Sequence, residues 1–334
     1  MSEDKRIIVC EDNNIDELRE KYPDGLSFVV GDTHGEIETL KALIDKIKFN
    51  PEKDHVYFVG DYDDGGNAKA LLAYISRYYQ ADCSCPGFHL IRGNHERELC
   101  PIYPLHNLPD VIVVRRNAMN YYIAHAGMVS AGFEIINDDI SKNPDKNVFA
   151  YRLDSASTAK NAPLRQITWS YYGLYSQKLH WHIWPSEEDL HRNKACIIHG
   201  HSPYCYFKEE DRFTYGDVNL FWQNQHIWFS EDLQSFNIDS NVKGRFKNGE
   251  SYRGLACVCL EVLEEIASRN NGKLTVDSIR RGTNGVFSAE YRRCYDNFWY
   301  NDVDSTGINK IIHAKPEMKT LGLNGNGNLI IYDI

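Results

Sequence analysis

The chain is 334 residues long, 42% hydrophobic and 25% charged, with a formal net charge of −10. That length supports a sizeable core in one large or two small domains. The acidic balance excludes a broad nucleic-acid surface, which needs a basic one, but not a small local basic pocket.

The N-terminus MSEDKR is polar and no apolar run is long enough to span a membrane, so the expectation is a cytoplasmic protein with no membrane partner. Nine cysteines are scattered along the chain. Cys83/Cys85 and Cys257/Cys259 are lone C-x-C pairs, read as buried or free thiols in a reducing compartment.

In chain order, one rhythm repeats. A short apolar run is followed by a turn carrying Gly with Asp, Asn or His: LSFVV then GDTHG, HVYFV then GDYDDGG, FHLI then RGNHE, NYYIA then HAG, and ACII then HGHSP. The runs have the length and composition of buried strands. After GDTHG, Ile37, Leu40, Leu43, Ile44 and Ile47 form one apolar helical stripe. After DDGG, Leu71, Leu72, Ile75 and Tyr79 do the same, with Asn67 as N-cap. Alternating strands and helices predict a layered α/β fold, in which functional groups gather at strand ends. Between Met128 and Leu190 the pattern loosens; ISKNPDKN reads as loop, and the aromatic-rich WSYYGLYSQKLHWHIWP reads as an insertion over the site, packed more than pocket-lining. The final seventy or so residues mix short strands with hairpin signals at NNGK and LNGNGN.

The polar residues at the five strand ends are Asp32, His34, Asp61, Asn94, His95, His125 and His201. Crowded carboxylates repel unless a cation sits among them. Carboxylates, imidazoles and a carboxamide suit a borderline divalent metal such as Mn, Fe or Zn rather than calcium. A central carboxylate can bridge two such ions. A dinuclear pair supplies a nucleophilic water at neutral pH and clamps phosphoryl oxygens, and a nearby histidine can protonate the leaving oxygen.

These five motifs, in this order, resemble the calcineurin-like metallophosphoesterases, particularly the phosphoprotein-phosphatase (serine/threonine phosphatase-like) branch and its bacterial and phage-type members. The resemblance runs from about Ser27 to Pro203, and FNIDSN with YRGLACVCLEVL looks like the strand pair that closes the family's second sheet. It implies a two-sheet β-sandwich flanked by helices. It implies a catalytic domain over residues 25–262 with the aromatic-rich insertion around 129–190, and an accessory segment, 263–334, packed on it. Transferred position by position, Asp32 and His34 hold one metal, Asp61 bridges, and Asn94, His125 and His201 hold the second. His95 is the general acid and Asp64 orients it. His199 reads as packing or as support behind the ligands, Asp63 as a solvated acid, and His180 and His182 as surface or aromatic-cluster residues.

The pattern departs from the family at two places. Gly65 stands where an arginine grips phosphate, and Tyr171 in TWSYYG stands where a second arginine is common. A phosphomonoester dianion wants a bidentate guanidinium. Either Arg97, Arg165, Arg245 or Arg253 reaches in, or the substrate is a diester or nucleotide anhydride accommodated by Gly65 and Gly66, or the site binds metal with little turnover. The expectation is a phosphomonoesterase, acting on a phosphorylated protein (Ser, Thr or Tyr) or small molecule. A phosphodiesterase or nucleotide hydrolase is the rival within the same chemistry, and a non-catalytic metal-binding module the rival outside it.

Overall fold

The computed structural model describes residues 14–62, 66–96, 105, 107–153, 185–201, 218–222, 225–231, 234–240, 242, 254–280, 285–292, 305–324 and 329–333. The chain runs α1 (Ile15–Lys21), β1 (Ser27–Val30), α2 (Ile37–Lys46), β2 (His55–Phe58), α3 (Ala68–Ser76), β3 (Gly87–Leu90), β4 (Val111–Arg115) and β5 (Asn120–Ala124). It continues through α4 (Ser130–Lys142), β6 (Val148–Leu153), α5 (Glu187–Arg192), β7 (Ala195–His199), β8 (Val218–Trp222), β9 (Gln225–Ser230), β10 (Ser235–Asn237) and β11 (Gly254–Cys259). The last elements are α6 (Leu260–Arg269), α7 (Val276–Arg280), β12 (Val286–Glu290), α8 (Ser305–Ile312), β13 (Lys319–Leu323) and β14 (Leu329–Asp333).

Two sheets result, in the orders β12-β11-β1-β2-β3 and β14-β13-β6-β4-β5-β7-β10-β9-β8. In the first, β1, β2 and β3 are parallel, so the turns that follow them emerge at one end. In the second, β5 and β7 are parallel. Alternation along the strands shows how the layers stack. Ile112 and Val114 of β4, with Tyr121 and Ile123 of β5, share one apolar cluster with Phe28, Val30, Phe58 and Val258 of the first sheet. Val111, Val113, Tyr122 and Ala124 point the other way, against Phe133 and Ile136 of α4. The apolar stripe of α2 is buried through Ile37, Leu40, Leu43 and Ile44, with Ile47 one residue beyond. The Asn67 side chain caps α3, accepting from the Ala70 amide at 3.0 Å. The molecule is therefore the helix-flanked two-sheet α/β sandwich that the motifs imply. No helix among the described residues is long and apolar enough to cross a membrane.

Three local expectations change. FNIDSN and LACVC are not a pair within one sheet: β10 pairs with β7 in the second sheet, whereas β11 runs antiparallel to β1 in the first. The chain changes sheets in between, and the close approach of the Ile238 carbonyl to Gly31, where any Cβ would collide, marks the crossing. NNGK is not a hairpin. It ends α6, with Asn271 and Gly272 at φ 56° and 77° and the Gly272 amide bonded back to the Ala267 carbonyl at 2.8 Å. The segment ISK is the last turn of α4, not loop. By contrast, the gap spanned by LNGNGN does join an antiparallel pair, β13 and β14. Within 129–190, β6 is an integral strand beside β4, and the aromatic-rich stretch 154–184 lies outside the described residues.

Candidate metal centre

Each polar turn begins where its strand ends, so the sheet geometry delivers the side chains to one end of the sandwich. The turn after β1 is tied to the turn after β2 by the His34 amide, which donates to the Asp61 carbonyl at 2.8 Å. The turn after β7 is tied to β5 by the Gly200 amide, which donates to the His125 carbonyl at 2.8 Å. The His201 amide donates to Asp32 Oδ2, also at 2.8 Å, linking the first and second sheets. Two glycines make this closeness possible. A Cβ on Gly93 would collide with Asp61 Oδ1, and one on Gly200 with Asp32 Oδ1. Any other residue there would displace a carboxylate.

Two groups of buried side chains converge. Asp32, His34 and Asp61 form one; Asp61, His125 and His201 form the other; within each, the potential ligand atoms lie within 4.8 Å of one another. Asp61 belongs to both. Asn94 extends the second group, its Oδ1 lying 2.8 Å from His125 Nε2. His125 Nδ1 donates to the Val59 carbonyl at 2.7 Å, so the neutral ring presents a lone pair at Nε2. Nε2 faces Asn94 Oδ1 at 2.8 Å, His201 Nδ1 at 3.0 Å and Asp61 Oδ1 at 3.3 Å. A set of acceptors converging in a buried space suits a cation, and the N/O donor types fit a borderline divalent ion.

The backbone carries strain at the same places. His34, Asp61 and His201 all have positive φ, at 44°, 56° and 70°. A non-glycine residue in the left-handed region costs about 1–2 kcal/mol, although Asp and His tolerate it better than most. Three such residues in one cluster of turns aim three side chains at one space.

His95 lies at the edge of this space. Its side chain is 12% exposed, its Nε2 is 3.7 Å from Asp61 Oδ2, and its ring meets His34 edge-on at 5.8 Å. His199 is fully buried behind the turn, its ring nitrogens 3.1 Å from the Gly200 carbonyl and the Ser235 hydroxyl, and burial lowers its pKa to about 4. It belongs to neither group. Asp63, Asp64, Gly65, Arg97, Arg165, Tyr171, His180, His182, Arg245 and Arg253 lie outside the described residues.

Sequence reasoning gave no role to several buried polar residues nearby. Glu96, inside the RGNHE motif, is 1% exposed. Arg92 is equally enclosed and binds Asp110 through both Nε, at 3.1 Å, and Nη2, at 2.5 Å. Asp110 also accepts the Leu153 amide at 2.7 Å, so this pair fastens the turn after β3 to the second sheet. It occupies the one described arginine of the five turns in a structural contact. Asn237, Asp239 and Ser240 are also buried, in a sixth strand-end turn after β10. The signal for it in FNIDS is weak, because apolar and polar residues alternate there and no apolar run precedes the turn.

A groove of about 970 Å³ lies at the opposite end of the sandwich, lined in part by His55, Tyr57, Arg116 and Glu261. Its charges are matched internally. Arg116 donates to the Ser27 hydroxyl and to Glu261, both at 2.8 Å, and Lys146 pairs with Glu317 at 2.5 Å. Among the described residues it has no converging set of acid and imidazole groups like that at the strand ends.

Comparison with known proteins agrees with this geometry. The sequence model of the family described as calcineurin-like phosphoesterase matches residues 28–220, more than half of the chain. A 77-residue stretch is 31% identical to the symmetrical bis(5'-nucleosyl)-tetraphosphatase of Erwinia tasmaniensis, covering 23% of this chain and 26% of that protein. The enzyme of the same name from Pectobacterium carotovorum matches at 31% over 78 residues, with the same coverage. These matches span about a quarter of the length of the curated relatives. Among solved structures, a protein serine/threonine phosphatase from Saccharomyces cerevisiae aligns over 83% of this chain and 84% of its own, at 15% identity and a TM-score of 0.43.

Proposed function

Since the chain belongs to the calcineurin-like phosphoesterase family, whose members are metal-dependent hydrolases, we propose that it hydrolyses a phosphomonoester at a dinuclear centre bridged by Asp61. The observation that carries this reading is the pair of buried acid–imidazole groups sharing that one carboxylate. Asp32 and His34 hold one ion with Asp61; Asn94, His125 and His201 hold the other with it. Manganese, iron or zinc fits these donors. When bound, two such ions supply positive charge for the phosphoryl oxygens and acidify coordinated water.

The rest falls to the chain. Val59 fixes the His125 tautomer, so the ring offers Nε2 without a proton to displace. His95, beside Asp61 and not fully buried, donates the proton that the leaving oxygen needs, with Asp64 as the acid that orients it. With Gly65 and Tyr171 at the places of the family's clamp arginines and Arg92 committed to Asp110, the substrate's remaining oxygens fall to Arg97, Arg165, Arg245 or Arg253. The substrate is a phosphorylated Ser, Thr or Tyr side chain or a small phosphomonoester, met in the cytoplasm. The described ligand candidates all precede residue 202, so the catalytic unit is assigned to 25–262 and an accessory role to 263–334.

A second reading, cleavage of a nucleotide anhydride, is favoured by the tetraphosphatase relatives; Gly66 does not open the room expected of it, because a Cβ there would collide with the Gly35 backbone. Manganese-loaded protein offered p-nitrophenyl phosphate, bis-p-nitrophenyl phosphate and a bis(5'-nucleosyl) tetraphosphate separates them. Preference for the monoester supports the proposal. Preference for the tetraphosphate replaces it with the second reading, and preference for the diester makes the chain a phosphodiesterase. Bound metal with no turnover of any substrate makes it a binding module.

A further inference from the structure

We propose that Glu96 is a positioning residue whose carboxylate clasps three backbone amides and thereby holds the shared carboxylate of Asp61 in place for metal. Glu96 Oε2 accepts from the Asp61 amide at 2.9 Å and from the Gly93 amide at 2.8 Å, and Oε1 accepts from the Tyr62 amide at 2.7 Å. The side chain is enclosed, so these three bonds are made away from bulk water and hold the carboxyl group in one place.

The geometry of the clasp matches a specific need. Asp61 sits at φ 56°, a conformation that its local sequence does not favour and that surrounding contacts must impose. Glu96 gathers the amides on both sides of the Asp61 Cα, one from Asp61 itself and one from Tyr62, and so fixes the peptide plane between them. The third amide belongs to Gly93, on the turn after β3. One carboxylate therefore couples the turn that carries Asp61 to the turn that carries Asn94 and His95. The contact between those turns is already tight: a Cβ on Gly60 would collide with the Gly93 backbone. Displacing the Glu96 carboxylate would move Asp61 Oδ1 relative to His125 Nε2, which now lies 3.3 Å from it and 2.8 Å from Asn94 Oδ1.

The chemistry discriminates between a clasp and mere filling of space. Glu96→Gln has nearly the same volume, but its Nε2 amide would point donors at backbone donors. Glu96→Asp keeps the charge and withdraws it by one methylene. The inference rests on the metal-centre reading of the site, so the primary readout is Mn²⁺ affinity by calorimetric titration of the full chain, with kcat, KM and circular dichroism beside it.

Glu96→Gln is expected to fold, to lose roughly 10–100-fold in Mn²⁺ affinity, and to lose kcat while KM stays within about threefold. Glu96→Asp is expected to recover part of the affinity. A folded Glu96→Gln that binds Mn²⁺ like the parent overturns the clasp. So does failure of both variants to fold, which would make Glu96 a support of the whole fold and not of Asp61. A parent chain that binds no Mn²⁺ at all overturns the metal-centre reading instead. A parent that binds Mn²⁺ but turns over no substrate leaves the affinity ratio, and hence the clasp, testable by itself.

Discussion

At the C-terminal ends of β1, β2, β5 and β7, carboxylates meet imidazoles and a carboxamide; at the opposite end of the same strands, carboxylates meet guanidinium, ammonium and backbone N–H groups. Both regions are rich in acids and histidines. In the far groove, Arg116 pairs with Glu261 and Lys146 with Glu317, and burial lowers the pKa of His55 and of His89 behind it. His89 is pushed down to about 3 by burial and by neighbouring His55, and His55 is lowered by burial and by Arg116. His89 Nδ1 lies 3.3 Å from the Gln80 carbonyl, which requires its proton there, so Nε2 accepts from His55 Nδ1 at 3.1 Å. At the site, lone pairs and negative charge are aimed at one another across a buried space. The contrast is that similar residue types are paired with cations and backbone groups in one region and converge on one another in the other, which is what makes the second the candidate for metal.

The sharpest way to break the comparison is to remove the shared acid. Asp61→Ala is expected to empty at least one metal position, measured by elemental analysis, and to lower turnover by on the order of 10³-fold. Retention of both ions would show that the two groups do not depend on Asp61. Next in size is His95→Ala, for which kcat should fall by about 10²–10⁴-fold with metal content nearly unchanged. Loss of metal in that variant would make His95 a ligand and not the acid.

Changes in the far groove should leave chemistry alone. Arg116→Met removes the contacts to Ser27 and Glu261 and should cost roughly 0.5–1 kcal/mol in urea unfolding, because the side chain is about a third exposed. Its kcat/KM is expected within about twofold of the parent, and a larger drop would join the groove to the active site.

The last effect is in pH and concerns stability alone. The folded pKa of His89, about 3, lies below the unfolded value of 6.5, so the unfolded chain takes up this proton first as the pH falls. The associated stability is complete above pH 6.5 and is lost as the pH drops towards 3, at most by about 1.4 kcal/mol per pH unit. His89→Asn, which keeps a donor for the Gln80 carbonyl, should flatten unfolding free energy against pH between 6.5 and 4. An unchanged slope would assign acid sensitivity to other groups.

Much of this organisation was legible in the sequence because strand and turn signals are local. The apolar runs before GDTHG, GDYDDGG, RGNHE, HAG and HGHSP became β1, β2, β3, β5 and β7, and Asn67 capped α3. What escaped depends on contacts between distant segments. The run VIVV of β4 is followed by RRN, a turn without the glycine of the other five, so it drew no notice, yet both of its faces are buried. β10 and β11 were read together because they follow one another in this part of the chain; pairing with β7 and β1 sends them to different sheets. Glu96 was visible as a letter in RGNHE, but its partners include residues 34 and 35 positions earlier, which no local pattern reveals. NNGK was misread because helix ends and hairpins recruit the same left-handed residues, and only the preceding helix decides between them.

The left-handed backbone at His34, Asp61 and His201 has a consequence for durability. Glycine adopts that conformation freely, so exchanging His34 or His201 for glycine should relieve backbone strain while weakening the centre, the relief being offset by the lost packing of a buried ring and by glycine's greater freedom in the unfolded chain. If these residues do hold metal, the three strained turns are places where the chain would give up robustness for reactivity.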